Sequence, residues 1–478
     1  MKVSIIFLSL LFQLNIKGIE MAATVLENHD FATNSARRKE LINAIKETHP
    51  GKDGVVVLFA SFELEARSFR QDSSFFYLTG LNEPGVVLTV DLKGHTILYM
   101  PNCDTRSKWM FSEVPLTQEN AKNLGINEIK VLGKPSASYT FHPFFPRDEY
   151  DLLLAELKKL VEENKTIFTF NPNNPREYVE QRLVLQRLEG FLPGLAEQVV
   201  DISPLVAHQR RIKDMREIDA LFVATEITMM AQEAAAQAIE DGVMECEVQA
   251  SLEYVFTAAG AALSFPSIVG SGKNSTVLHY TINNGTLKNG DLVVVDIGAE
   301  YGHYCADLTR TYPVSGKFTA RQKEIYNLVL ETQEYIANIA KPGFWLNNAQ
   351  VPEKSLNHLA RAYLAKKGYD KYFLHGIGHY LGLDVHDVGD YKKPLEVGDV
   401  FTIEPGIYIA EEKIGVRIED DYWVVKDGVV CLSESLPKKA DEIEKFMQEE
   451  ELDSDESEFD EDETFDFDDE DDQDLSQA

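Results

Sequence analysis

Residues 291–311 read DLVVVDIGAEYGHYCADLTRT, and two carboxylates set into this stretch decide how the rest of the chain is read. Leu292 to Ile297 is an apolar run broken only by Asp296, which fits a strand inside a core rather than a half-exposed edge. A lone carboxylate there costs on the order of several kcal/mol unless it is paired or bound to a cation. Asp307 follows eleven residues later, on what should be the next strand, with Gly298 and Gly302 bracketing the turn. A hairpin of that length can bring both carboxylates to one face. Two readings stay open here: a cation site, or a buried aspartate that pairs with Arg310 or caps a turn.

Outward from this stretch the same chemistry recurs. Residues 373–389, FLHGIGHYLGLDVHDVG, hold His375, His379 and His386 with Gly376, Gly378 and Gly382 among them, so three of the eleven histidines fall within twelve positions. Imidazole nitrogen is a favoured ligand for transition metals, and glycines let backbone and substrate approach closely. The competing reading is a set of core histidines satisfied by backbone carbonyls. Glu404 interrupts the apolar run in FTIEPGIY and Glu419 does so in GVRIEDDYWVV, with Pro405-Gly406 turning the chain after the first. Each alone could be an ordinary salt-bridged glutamate. Four acidic residues on apolar strands plus one histidine are hard to explain except by shared cations. Two divalent ions, bridged by carboxylates and a water, would neutralise most of the charge. An oxygen-rich donor set with one imidazole suits Mn2+, with Co2+ or Zn2+ as alternatives, and suits thiolate-loving metals poorly.

The chain has 478 residues, enough for roughly three domains or two larger ones, with 44% hydrophobic and 26% charged residues. That composition is ordinary for a globular protein and excludes disorder throughout, a collagen-like chain and a disulfide-rich scaffold. The formal net charge is −33, and Glu449 to Asp474 holds eighteen acidic residues with no Lys or Arg, so taking those eighteen away leaves −15 on the remainder. A remainder that is still acidic argues against a nucleic-acid binder working through a basic face. Cys103, Cys246, Cys305 and Cys431 are far apart and form no CxxC pair, which points to a reducing, cytoplasmic compartment rather than a disulfide framework. Lys2 and the mostly apolar run Val3 to Leu14 have the shape of a short signal peptide, which would make the protein exported. The competing reading is an over-long start, with Met21 as the initiator. The run is too short to span a bilayer and no other segment approaches that length, so no membrane partner is expected.

Beyond residues 1–23, a first region over 24–202 alternates strand-like runs (Val55 to Ala60, Val86 to Asp91, Thr96 to Met100) with helical patterns such as Asp148 to Asn164. This is the pattern of an α/β domain with a helix-covered sheet. Ser203-Pro204 marks a change of character, and a long helix is predicted from Arg216 to Asp241 with Gly242 where a C-cap glycine belongs. The second region, 203–437, holds the apolar strands Leu292 to Ile297 and Val400 to Ile403. A predicted helix from Ala320 to Ala340, closed by Pro342-Gly343, separates them. Over 438–478 an acidic tail is expected, disordered from Glu449 onward because it lacks apolar periodicity. Its Asp453-x-Asp455 start lacks the central glycine and spaced glutamate of a calcium loop.

At these residues the sequence closely resembles the pita-bread metallopeptidases, nearest to their proline-specific branch of Xaa-Pro aminopeptidase (aminopeptidase P) and prolidase. The resemblance covers most of the chain. SFRQDSSFFYLTGLNEPG (68–85) looks like the non-catalytic N-terminal domain of that branch. IVGSGKNSTVLHYTINN, VVVDIGAEYGHYCADLTRTYPVSGKFT, HGIGHYLGLDVHDVG, TIEPGIYI and GVRIEDD look like its successive active-site motifs. The fold so implied is α+β: a C-terminal pita-bread catalytic domain with an internal pseudo-twofold, an N-terminal α/β domain and the acidic tail. The implied ligand set is Asp296, Asp307, His379, Glu404 and Glu419. Asp307 and Glu419 would bridge two metal ions, with Asp296 on one and His379 and Glu404 on the other. His279 and His386 would hold the scissile carbonyl and stabilise its developing charge. His375, Tyr408 and Arg417 would lie near the proline ring and the carboxyl side of the substrate.

The activity implied is metal-dependent release of an N-terminal residue that precedes proline, by a hydroxide bridging the two ions. Glu404 would take the proton from the water and pass it to the leaving imino nitrogen. Peptides with proline in second position are the expected partners, with a second copy of the chain in a homo-oligomer. The rival within the same fold is prolidase, restricted to Xaa-Pro dipeptides. Arg417 does not decide between them, whereas FRQDSSFFYLTGLNEPG looks more like aminopeptidase P. Methionine aminopeptidase normally lacks so large an N-terminal domain. A non-catalytic binding module of this fold, as in some histone-chaperone subunits with acidic tails, loses metal ligands that this chain keeps.

Overall fold

The fold is that of a computed structural model, which describes residues 32–63, 68–102, 118–135 and 147–448. The expected signal peptide or over-long start, Cys103 and the acidic run from Glu449 lie outside the described residues. The first domain comprises α1 (Ala32–Thr48), β1 (Gly54–Phe59), α2 (Ser73–Thr79), β2 (Val87–Asp91), β3 (Thr96–Met100), α3 (Gln118–Asn123), β4 (Glu128–Val131), α4 (Asp151–Glu162), β5 (Thr166–Thr169), α5 (Val179–Phe191) and β6 (Val199–Asp201). Its strands form one sheet in the order β4-β3-β2-β1-β5-β6, antiparallel from β1 to β3 and parallel at β4, β5 and β6. Strand β1 shows why helices cover both faces. Successive side chains of a strand point to opposite sides, so Val56 and Leu58 pack with α1 and α2 while Val57 and Phe59 pack with α4 and α5.

The second domain follows α6 (Ser203–Arg211). It comprises α7 (Met215–Ala238), α8 (Glu245–Ala258), β7 (Ala262–Leu263), β8 (Ile268–Ser271), β9 (Leu292–Ile297), β10 (Ala299–Tyr301), β11 (Tyr304–Cys305), β12 (Leu308–Pro313), α9 (Ala320–Ile339), α10 (Leu356–Lys367), β13 (Val400–Ile403), β14 (Gly406–Ile409), β15 (Ile414–Arg417), β16 (Asp420–Val425), β17 (Gly428–Cys431) and α11 (Ala440–Phe446). Asp214 starts α7 through a reciprocal capping box with Glu217. The helix is capped at Ile239, so Gly242 (φ 91°) turns the chain three residues beyond the cap instead of forming it.

Two halves of this domain repeat one plan. Strands β8, β9 and β12 form one sheet and β13, β16 and β17 another, joined where Thr309 pairs with Glu419. Helix α7 lies along the first and α9 along the second, and each gives one fully buried glutamine to the strands. Gln232 donates to the carbonyls of Val295 (3.1 Å) and Leu308 (2.8 Å), and Gln333 to those of Ile403 (3.1 Å) and Ile418 (3.3 Å). These four residues are the immediate neighbours of Asp296, Asp307, Glu404 and Glu419.

The link between Asp296 and Asp307 differs from the single hairpin expected. The register sets Asp296 opposite Thr309, and the chain between leaves the sheet as a β10–β11 hairpin that pairs with β7. Gly298 permits the departure, since a Cβ there would meet the Ala306 carbonyl oxygen at 1.9 Å. No described helix is long and apolar enough to cross a membrane.

Packing also continues past residue 437, the expected end of the domain. Ile443 and Ala440 of α11 are buried in the same core as Ile325 and Tyr326 of α9, and Lys438 reaches Asp420 at 3.0 Å. A chain ending at 448 should therefore keep its melting temperature and turnover. One ending at 437 loses the burial of Ile443, worth about 1.5–3 kcal/mol, and its Tm measured by calorimetry should fall by roughly 5 °C.

Candidate metal centre

Asp296 lies within β9, Asp307 directly ahead of β12, Glu404 directly after β13 and Glu419 between β15 and β16. Each carboxylate thus sits on or beside a strand whose carbonyls the two buried glutamines hold. His379 comes from the loop between α10 and β13. Its amide donates to Thr402 Oγ1 at 3.2 Å, and the Thr402 amide donates to its carbonyl at 2.9 Å. His379 Nδ1 lies 3.1 Å from the Tyr380 carbonyl oxygen, which makes that nitrogen the donor and leaves Nε2 bare.

The bare nitrogen faces the acids. Nε2 is 3.3 Å from Asp307 Oδ2, 3.9 Å from Glu404 Oε1 and 4.0 Å from Glu419 Oε1. Among the described residues, Asp307, His379 and Glu419 bring their donor atoms close enough together to hold one ion. Asp296 Oδ1, Asp307 Oδ1 and Glu419 Oε1 are buried with no hydrogen-bond partner. Buried polar atoms are rarely left in that state, and a set rich in carboxylate oxygen with one imidazole is the donor chemistry of a divalent cation.

The electrostatics agree. Burial, reinforced by the neighbouring carboxylates, pushes Asp307 and Glu419 well above the usual carboxylate range, and burial carries Glu404 up to about 7. Burial and Arg417 lower His375 to about 3, while burial, His379 and His279 lower His386 to about 4. Both imidazoles are therefore neutral near pH 7, and a neutral ring has one N–H to donate.

Several supports have no local signal in the sequence. Thr309 Oγ1 donates to Glu419 Oε2 at 2.7 Å and accepts from Arg417 Nε at 3.1 Å. Asp421, buried and raised to about 8 by that burial, accepts from the Asp307 amide at 3.2 Å. Glu245, the first residue of α8, accepts from the Ser271 amide and hydroxyl, Asn274 Nδ2, the Tyr280 hydroxyl and the Gly285 amide. Those bonds fasten the loop that carries the exposed His279. The partners are remote in sequence, so spacing alone could not have found them.

Two buried arginines are each fixed by an acid. Arg417 is 4% exposed and engages Asp296 Oδ2 at 2.5 Å, Thr309 and the Tyr408 hydroxyl (2.8 Å). Its guanidinium thus holds one of the acids and the hydroxyl of Tyr408 together. Arg310 pairs with Asp420 at 2.7 Å, so it is not the partner of Asp307. The Tyr408 hydroxyl in turn lies 2.9 Å from His375 Nε2, and the His386 ring stacks on His379 with centroids 4.1 Å apart.

A repeated pair of sheets that buries four carboxylates round one bare imidazole nitrogen defines a pita-bread metallopeptidase. Comparison with known proteins places the chain further. The Metallopeptidase family M24 pattern matches residues 219–426, and that of the Aminopeptidase P N-terminal domain matches residues 35–135. The Xaa-Pro aminopeptidase of Escherichia coli is 32% identical over 86% of this chain and 96% of its own. A zinc-substituted E. coli aminopeptidase P structure in complex with product superposes with a TM-score of 0.71, at 29% identity over 87% of this chain and 98% of the other. An Xaa-Pro dipeptidase of Pyrococcus furiosus, 35% identical, aligns with 61% of this chain and 84% of its own. The chain belongs to metallopeptidase family M24, in its Xaa-Pro aminopeptidase branch, and is a divalent-metal-dependent aminopeptidase.

Asp307→Asn and Glu419→Gln should each abolish turnover and lower the metal content measured by elemental analysis. The metal-free protein should also reveal its protons. A carboxyl raised on folding keeps protons that the unfolded chain has released, so stability falls as pH rises through the raised values. His375 and His386, lowered on folding, act in the opposite sense up to about pH 6.5. The fall should therefore show between about pH 7 and 8, where the raised carboxyls alone still titrate, and saturating divalent metal should reduce it in the Tm profile to the part that Asp421 contributes.

Proposed function

We propose that the enzyme releases the N-terminal residue from peptides with proline in second position, using two Mn2+ ions held by Asp296, Asp307, His379, Glu404 and Glu419. One observation carries this reading: Asp307 and Glu419 each bury an unpartnered carboxylate oxygen, and their carboxylates come within 3.3 and 4.0 Å of the bare Nε2 of His379. Asp307, His379 and Glu419 would supply the donor atoms that already lie together, with Asp296 and Glu404 completing the set. Bound there, the ions polarise the scissile carbonyl and make the attacking water more acidic.

The remaining work falls to the chain's own residues. Glu404 takes the proton of the attacking water and delivers it to the proline nitrogen, a poor leaving group until it is protonated. His386 donates its single N–H to the carbonyl oxygen as charge builds there, and His279 acts from the loop fastened to Glu245. Removing one such donor typically costs about 2.7–4 kcal/mol of barrier. The proline ring packs beside His375 and Tyr408, whose rings lie 5.5 Å apart. Arg417 holds Asp296 and Tyr408 in register on the side where the proline ring and the carboxyl side of the substrate would lie. The free thiols of Cys246, Cys305 and Cys431 suit a reducing, cytoplasmic compartment.

Arg-Pro-Pro should lose its arginine while Arg-Ala-Ala is turned over little. Hydrolysis of Xaa-Pro dipeptides alone would make the enzyme a prolidase. His386→Ala should lower kcat roughly 10²–10³-fold with normal metal content, whereas His379→Ala should lose metal together with activity.

A further inference from the structure

Beside the metal centre a second cluster of buried charge joins the two domains. Asp387, with 1% of its side chain exposed, lies 2.5 Å from Arg210 Nη2 through Oδ1 and 3.0 Å from Lys213 Nζ through Oδ2. Arg210 follows from α6 and Lys213 from the link after it, and both are as deeply buried. Arg210 also donates to Ser74 Oγ of α2 at 2.9 Å and to Asp384 Oδ2 at 2.8 Å. Asp384 Oδ1 accepts from Ser73 Oγ at 2.6 Å, and Arg70 Nη2 reaches the Leu383 carbonyl at 2.5 Å. The loop over residues 383–387 is therefore gripped by side chains of the N-terminal domain and of the segment that leads out of it.

That loop carries His386. The Asp387 amide donates to the Tyr380 carbonyl at 2.9 Å, the same oxygen that His379 Nδ1 approaches. Both ends of the turn are thus tied to one acceptor, with His386 between them. The packing leaves no slack, because a Cβ on Gly382 would meet Asp387 Oδ2 at 2.1 Å and Lys213 Cε at 2.9 Å. His386 is partly open to solvent, so its stacking on His379 and the backbone that carries it set its place.

We propose that Asp387 is the positioning residue for His386, and that the N-terminal domain sets the geometry of the active site through the Arg210–Asp387–Lys213 cluster. This rests on the reading of His386 as the donor to the carbonyl oxygen. A shift of about 1 Å in such a donor is enough to cost up to about 10²-fold in rate, and removing one cation loosens Asp387 without touching a side chain of the metal centre.

A double-mutant cycle with metal analysis tests the idea. Lys213→Met should lower kcat roughly 10–100-fold, with KM little changed and metal content normal. In the His386→Ala background the same substitution should have no further effect, because the side chain it positions is gone. Should Lys213→Met fail to fold, Ser73→Ala, which only frees Asp384, takes its place with a smaller loss and the same absence of effect in the His386→Ala background. Equal losses in both backgrounds, an unchanged kcat, or a fall in metal content would overturn the positioning role while leaving His386 as assigned. Normal turnover in His386→Ala alone would overturn the reading of His386 itself.

Discussion

Three buried carboxylates and the half-buried Glu404, gathered round one histidine, with Arg417 the guanidinium bonded to one of them, form the constraint on which the catalytic domain depends. Two like charges 4 Å apart repel by about 4 kcal/mol at an effective dielectric near 20. Folded domains are stable by only about 5–15 kcal/mol in total. A scaffold that let these side chains drift apart would relieve the repulsion and lose the site. Holding them together requires rigid backbone on every side, and the raised carboxyl groups record how unfavourable the arrangement is before a cation enters.

The supports closest to the acids are largely neutral. Gln232 and Gln333 clamp strand carbonyls next to all four carboxylates, Thr309 donates to Glu419, and Thr402 fixes the backbone of His379. Amides and hydroxyls give direction without adding charge to a crowded interior. Full ion pairs such as Arg310–Asp420, Arg211–Asp399 and Arg210–Asp387 bear on the frame around the site. The exception is Arg417, whose bond to Asp296 offsets one of the four negative charges directly.

This division explains what the sequence could show. An acid inside an apolar run is a local contradiction, so Asp296, Glu404 and Glu419 stand out, and the strands at 96–100, 292–297 and 400–403 appear where the pattern put them. Residues whose purpose is a distant contact carry no such mark. Gln232 looks like an ordinary polar residue of a helix, Thr309 like a strand former, and Glu245 like the acid of a first helical turn, although each meets partners tens of residues away. The link between Asp296 and Asp307 departs from a simple hairpin for a related reason. Its spacing allowed a simple turn, but the clearance at Gly298 and the pairing of β10 with β7 are set by tertiary contact. Arg417 was legible as a neighbour of the site, yet its direction depends on Asp296 and Tyr408 lying across the sheet junction.

Charge balance then bears on how many ions the centre holds. Ionised, Asp296, Asp307, Glu404 and Glu419 carry four negative charges, and the Arg417 guanidinium returns one, leaving a deficit of three. His375 and His386 add nothing because both are neutral. One divalent ion would leave the buried cluster a full negative charge short of neutrality, which is costly in so desolvated a place and would repel the oxyanion that must form at the substrate carbonyl. Two divalent ions would exceed the deficit by one positive charge, so the field at the substrate carbonyl would attract the developing oxyanion, while the proton released by the water passes to Glu404. Arg417 tips this balance, since with a neutral residue in its place two ions would only cancel the acids and leave nothing for the developing oxyanion. On the proposed two-ion reading, the inward-turned arginine would therefore favour the developing oxyanion through the field of the site.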